Sequence, residues 1–196
     1  MNKNEDINKL YNDYSNKFSG RDLVFGDGAL DAQIMLIGEA PGKDEIAQGK
    51  PFVGKAGKNL NEFLSSIDFK REDLYITNVI KYKLFKVNLK TGRESNRPAL
   101  KDEIESGIPY LHEEINIISP KIIVTLGNVP LRAVLNDFSN KASIGLMHGR
   151  IYEVNIKGEK YLLYPLYHPA SIIYNQGLKE VYSGDVLRLK NEMLPV

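Results

Sequence analysis

Residues 34–57 read IMLIGEAPGKDEIAQGKPFVGKAG, and the reading of this stretch decides the architecture. IMLIG, residues 34–38, is a short unbroken apolar run, the pattern of a parallel strand buried on both faces. Five glycines from Gly38 to Gly57 then make a turn-rich loop, before a helix predicted from about Lys58 to Ser66. The same order recurs downstream. LYITNVI (74–80) reads as a second strand, and KIIVTLG (121–127) as a third whose closing glycine opens a helix over about 128–136. RIYEVNI and KYLLYPL predict a hairpin turning at Lys157-Gly158-Glu159, its second arm rejoining the main sheet. Ile7, Leu10, Tyr11 and Tyr14 recur at i, i+3, i+4, i+7 and predict a helix over 2–18; others are predicted over 101–118 and about 178–193. Residues 81–100 read as a long polar, basic loop. Strands alternating with helices predict an α/β protein: a single three-layer α/β/α domain over residues 1–196 with a mainly parallel, four-stranded central sheet. Ligands in such sheets bind beyond the carboxyl ends of the strands. Those ends deliver Gly38-Glu39, Asn78, Gly127-Asn128 and His168.

Composition excludes several classes. The 26 Lys and Arg nearly balance 25 Asp and Glu, so a histone-like polyanion binder is not expected. The absence of cysteine excludes disulfides, thiolate metal sites and cysteine nucleophiles. The three histidines lack metal-ligand spacing, so no metal and no cofactor is expected. No apolar run approaches the ~20 residues of a membrane span, and the polar N-terminus carries no signal-peptide core. A cytoplasmic, monomeric protein without a membrane partner is expected.

Individual motifs are open to two readings each. GKPFVGKA (49–56) fits G-x-x-x-x-G-K but has Ala56 where a Mg²⁺-binding hydroxyl is needed, and it begins eleven residues after the strand rather than at its end. Nucleotide hydrolysis is therefore not expected. Asn78, at a strand end, either offers a donor and an acceptor to a planar heterocycle or bridges backbone. His168 precedes Pro169 at a helix start, where a neutral imidazole is favoured; it is a hydrogen-bond donor or a turn residue. Phe52 either stacks on a base beside a cleft or fills a small satellite core. Residues 81–101 hold seven Lys or Arg against Glu94 alone, with Tyr82 and Phe85 interleaved, and read as a phosphate contact or as a solvated loop. His112 is expected in solvent, and His148 in a structural or rim position.

The order of the pieces is more specific than any one of them. GEAPGKDE, QGKPFVGKAGKNL, ITNVIKYK, NRPAL, PKIIVTLGN and HPAS, in that sequence, resemble the family 4 uracil-DNA glycosylases from about Gly26 to Met193. The resemblance implies a DNA repair glycosylase that releases uracil from uracil-containing DNA and leaves an abasic site. It places Gly38, Glu39, Ala40, Pro41 and Gly42 in the first catalytic loop and makes Glu45 the acid that follows. It gives Phe52 the stack on the flipped uracil, Asn78 the uracil edge, and His168 the uracil O2. Glu39 and Glu45 are the carboxylates expected near the attacking water, each either orienting it or binding backbone instead. Lys81, Lys83, Arg97 and Ser171 are expected on DNA, and Ala170 to Tyr174 match a loop that enters it. A glycosylase for another deaminated base, or a lesion-binding protein without catalysis, are the alternatives.

Two departures stand out. The family holds a four-iron cluster on four cysteines, and the matching positions here are Tyr11, Tyr14, Tyr82 and Gly107. An aromatic plug is expected in its place. A related subgroup links covalently to DNA through a loop histidine; none lies between Tyr82 and Lys101, so that chemistry is not expected.

Overall fold

The computed structural model describes residues 2–175 and 177–193. In chain order the elements are α1 (Lys3–Lys17), β1 (Asp27–Gly28), β2 (Ile34–Gly38), α2 (Lys43–Gln48), α3 (Lys55–Ser66), β3 (Tyr75–Asn78), β4 (Phe85–Val87) and β5 (Glu94–Asn96). They continue with α4 (Lys101–Ile118), β6 (Ile122–Leu126), α5 (Asn128–Leu135), α6 (Ile144–Met147), β7 (Tyr152–Ile156), β8 (Glu159–Leu166), α7 (Pro169–Tyr174) and α8 (Leu178–Met193).

The main sheet has the order β1-β3-β2-β6-β8-β7. Its four central strands run parallel, as expected. It has six strands rather than four, because β1 and β7 pair antiparallel at the edges. β1 is only two residues long and has no apolar run to announce it. β7 is the outer arm of the expected hairpin, whose turn uses the positive φ of Lys157 (54°) and Gly158 (92°).

Side-chain alternation along the buried strands divides the interior in two. Met35 and Ile37 of β2 join a core built with Tyr14 of α1, Ile108, Leu111 and Ile115 of α4, and Leu131 of α5. Ile34 and Leu36 join the opposite core with Leu60 and Leu64 of α3, Ile172 of α7, and Tyr182 and Val186 of α8. Three layers result, with the carboxyl ends of β2, β3, β6 and β8 at one edge.

Three local features depart from expectation. α3 starts at Lys55, a turn early, because Gly54 caps it in extended geometry. Gly57 in its first turn lies so close to the Phe52 carbonyl that a Cβ would sit 1.9 Å from that oxygen. α2 was not anticipated inside the glycine block; its start is closed by the Gly42 N–H donating to Glu45 Oε2 at 3.0 Å. The basic segment is not all loop: β4 and β5 form a separate two-stranded sheet.

Tyr11, Tyr14 and Tyr82 do meet in an aromatic cluster. Tyr11 stacks on Phe25 at 4.1 Å between centroids, Tyr14 packs on Phe18 and Tyr110 at 4.4 and 4.9 Å, and Phe18 lies 5.3 Å from Tyr82. Gly107 sits against the Val79 carbonyl, with only 2.7 Å for a would-be Cβ. These residues offer no thiolate, so the four positions do not fit a thiolate-held cluster.

Candidate active site

A cavity of about 360 Å³ opens over the carboxyl edge of the sheet, lined among others by Ala40, Phe52, Asn78, Asn96, His168 and Ala170. A neighbouring cavity of about 370 Å³ shares Ala40, Asn96 and His168 and adds Glu39, Pro41 and Arg97. The structure thus gathers Glu39, Ala40, Pro41, Gly42, Glu45, Phe52, Asn78 and His168 from four separate segments.

Asn78 ends β3 beside Gly38, its parallel partner on β2. The strands remain locked one step further, through the Val79 N–H on the Gly38 carbonyl at 2.9 Å and the Ile80 N–H on the Glu39 carbonyl at 3.0 Å. Asn78 is 2% exposed. Among the described residues its side-chain amide makes no hydrogen bond, so donor and acceptor both remain open to the cavity it lines. Gly38 is required here: a Cβ would sit 2.4 Å from Asn78 Oδ1 and 2.5 Å from Phe52 Cζ.

Phe52 belongs to both of its expected settings, since it is packed in the lower core and lines the cavity. Its backbone is left-handed, at φ 52°. Arg71 fixes it by donating to the carbonyls of Pro51 and Phe52, the latter at 3.1 Å. The Phe52 ring lies 5.9 Å from the His168 ring.

His168 caps α7. Its Nδ1 accepts the Ala170 N–H at 3.1 Å. A nitrogen that accepts carries no proton, so in the neutral ring the proton is on Nε2. Burial pushes the imidazole below its ordinary value of 6.5 and favours that neutral form. The result is a fixed N–H donor at the cavity wall.

The two glutamates differ. Glu45 spends both oxygens on backbone: Oε2 accepts the Gly42 N–H, and Oε1 accepts those of Val53 and Gly54 at 3.0 and 2.8 Å. It ties the catalytic-type loop to the Phe52 loop. Glu39 accepts the Ala99 N–H at 2.8 Å through Oε1, and Oε2 has no recorded partner among the described residues.

Lys81 is a correction. It was expected on DNA, yet it is 1% exposed. Its Nζ donates to Glu114 Oε2 and Thr77 Oγ1, both at 2.5 Å, and to the Asn78 carbonyl at 2.6 Å. All three ammonium donors are consumed beneath the site. Glu114, fully buried, also accepts from Tyr11, Tyr75 and Thr77. Sequence reading missed this network, although Glu114 falls three residues after Leu111 on the buried stripe of α4.

Other charges of the basic segment are also engaged. Lys83 pairs with Glu94, and Arg97 pairs bidentately with Glu103 at 2.6 and 2.7 Å. Ser171 lies half-buried on α7. The side chains of Ile173 and Tyr174, at the end of the expected DNA-entering stretch, lie outside the described residues. His112 is half-buried rather than solvated, with Nε2 2.9 Å from the Ala133 carbonyl. His148 is half-buried and structural, its Nδ1 2.7 Å from a carboxylate oxygen of buried Asp185, and it lines neither cavity. Asn96, Asp44 and Lys55 line the cavity unanticipated. All three lie inside the quoted motifs GEAPGKDE, QGKPFVGKAGKNL and NRPAL, although no role was expected of them.

Fold and cavity define a class: an α/β/α protein that gathers a buried asparagine, a phenylalanine and a neutral histidine around one cavity at its strand ends. Residues 25–187 match the model of the Uracil DNA glycosylase superfamily, and the chain belongs to that superfamily. It is 39% identical over 167 residues to the type-4 uracil-DNA glycosylase of Archaeoglobus fulgidus, covering 85% of this chain and 79% of that one. It is 39% identical over 175 residues to that of Saccharolobus solfataricus, covering 88% and 77%. Against that of Sulfurisphaera tokodaii it is 37% identical over 169 residues, covering 85% and 73%.

Proposed function

We propose that the protein is a DNA repair glycosylase that hydrolyses the N-glycosidic bond of deoxyuridine in DNA, releasing uracil and leaving an abasic site. The observation that carries this reading is the pairing of Asn78 with His168 on one cavity beside Phe52, the Asn78 amide and the His168 Nε2–H both without a partner among the described residues.

A base inside a duplex is out of reach, so the nucleotide enters the cavity flipped out or from a single strand. Phe52 stacks on the uracil face. Asn78 accepts from N3–H and donates to O4, a pattern that the amino group of cytosine mismatches. As the bond breaks, the sugar gains oxocarbenium character and uracil departs as an anion. His168 donates from Nε2 to O2 of that anion, and preorganised donation of this kind is worth roughly 3–4 kcal/mol. Water then attacks C1′. Glu39, with one oxygen uncommitted, is the carboxylate that orients this water; Glu45 is a positioning residue. Lys83, Arg97 and Ser171 keep their assignment to DNA, where a phosphate would compete with Glu94 for Lys83 and with Glu103 for Arg97. Action as a monomer on uracil-containing DNA is part of this proposal. No helix among the described residues is long and apolar enough to cross a membrane, and a DNA substrate fits a cytoplasmic setting.

The test is single-turnover base release from a labelled oligonucleotide with one deoxyuridine, followed by alkaline cleavage of abasic sites. An oligonucleotide that stays intact while binding tightly would move the protein to lesion recognition without catalysis.

Two further results are expected. Gly38→Ala should lower excision by about 100-fold or more, since displacements of about 1 Å at a reacting centre cost that much; unchanged excision would mean that Asn78 and Phe52 do not meet over Gly38. Excision should stay level through neutrality and fall only at pH below 6.5, where His168 takes a second proton and loses the Ala170 N–H. The linked stability has the same sign. With its folded value lowered, this histidine's contribution is complete above 6.5 and is lost as pH falls through the folded value. A pH–rate profile with a loss centred above 6.5 would contradict it.

A further inference from the structure

The charges of residues 81–101 divide into two sets. Lys81, Lys83, Arg97 and Lys101 are held in ion pairs with Glu114, Glu94, Glu103 and Glu105. Lys86, Lys90 and Arg93 make no ion pair among the described residues, and all three lie on the β4–β5 hairpin or its turn. Every residue of both strands is exposed. The hairpin also breaks the usual economy of a soluble surface. Phe85 is 39% exposed, Val87 48% and Leu89, in the turn, 98%.

Register relates this apolar row to the cavity. Phe85 pairs with Asn96 and Val87 with Glu94, so these four share one face of the hairpin. Asn96 on that face lines both cavities. The hairpin is therefore rooted at the cavity mouth and carries an apolar row away from it on one face, with Lys86 on the other face and Lys90 and Arg93 between the strands, none of the three ion-paired among the described residues.

Resting on the glycosylase reading, we propose that the β4–β5 hairpin is a DNA-binding arm that grips the strand beside the flipped nucleotide. Lys86, Lys90 and Arg93 take backbone phosphates, while Val87 and Leu89 lie against sugars and base edges in the groove. An apolar contact bordered by cations matches a polyanion with an apolar interior. Reach sets the footprint. Leu89 is four residues beyond the Phe85–Asn96 pair, about 13 Å at ~3.3 Å per residue. One strand of DNA advances ~3.4 Å per nucleotide. The arm therefore spans about four nucleotides on one side of the lesion.

The experiment uses the full chain with Lys86→Gln, Lys90→Gln and Arg93→Gln combined, and separately with Val87→Ser and Leu89→Ser combined. Binding of an undamaged duplex is measured against salt. Removing three phosphate contacts should reduce the slope of log K against log salt by about 2–3, at ~0.9 per contact. The apolar pair should weaken binding with the slope unchanged. Deoxyuridine is then placed one to eight nucleotides from either end. Wild-type kcat/KM should fall when one flank, and only one, is shorter than about four nucleotides, and the triple variant should lose that asymmetry. Single-turnover rates at saturating DNA should be unaltered in both variants. An unchanged salt slope, or flank dependence that persists in the triple variant, overturns the proposal. If the wild type released no uracil, the glycosylase reading would fail while the salt slope still reported on the arm.

Discussion

His168→Ala is expected to slow single-turnover uracil release by about 10²–10³-fold, the cost of removing one preorganised donor from a developing anion. Binding of the uracil-containing strand should change little, because the donation strengthens only as charge builds on O2. Asn78→Ala should cause a loss of similar size with a different signature. The asparagine already meets the base in the bound state, so its removal should also weaken discrimination of uracil from cytosine. Asn78 ties no helix or strand together and His168 caps only the short α7, a contact typically worth about 1 kcal/mol, so both variants should unfold within about 1 kcal/mol of wild type. The pair of measurements is rate at saturating DNA and urea midpoint. Near-normal excision in both variants would remove the assignment of this cavity.

The largest stability effect is expected at Glu114. Replacing it with alanine leaves the Lys81 ammonium buried without a counter-ion and should cost about 3–5 kcal/mol. Lys81→Met should cost a similar amount by stranding the carboxylate. The double replacement Lys81→Met with Glu114→Leu should recover part of the loss, since no charge is then left unpaired, although the Tyr75 and Thr77 hydroxyls lose their acceptor. It should not recover activity, because the Asn78 carbonyl has lost the ammonium that holds the end of β3. Urea unfolding and excision rates, measured together, read both parts. Single variants that cost no more than a surface change, about 0.5 kcal/mol, would contradict the buried network.

The parallel core was legible because IMLIG and KIIVTLG are apolar without interruption, which a strand covered on both faces demands. Asn78, Phe52 and His168 were legible because each lies at a strand end or in the glycine block, where topology sends ligands. Lys81 was misread because charge was taken as exposure. The signal against it was present: Val79 and Ile80 continue the buried run to its neighbour, and both are wholly buried. Glu45 was legible as a cavity residue, and binding to backbone as one of its two alternatives, but not the three donors it takes, since their convergence on one carboxylate depends on how loops fold back. The β4–β5 hairpin lacked the alternation of a half-buried strand because neither face packs on the core. Its pairing is visible only in three dimensions.

The aromatic cluster around Tyr11, Tyr14 and Tyr82 has a consequence for how the chain is made and how it ages. Rings find their places by collapse alone, and no inorganic centre has to be delivered before the α1–α4 side closes. Refolding from urea in air with a strong chelator present should return full activity. Nor does any thiolate wait there for peroxide, which leaves methionine as the most readily oxidised sulfur in this chain.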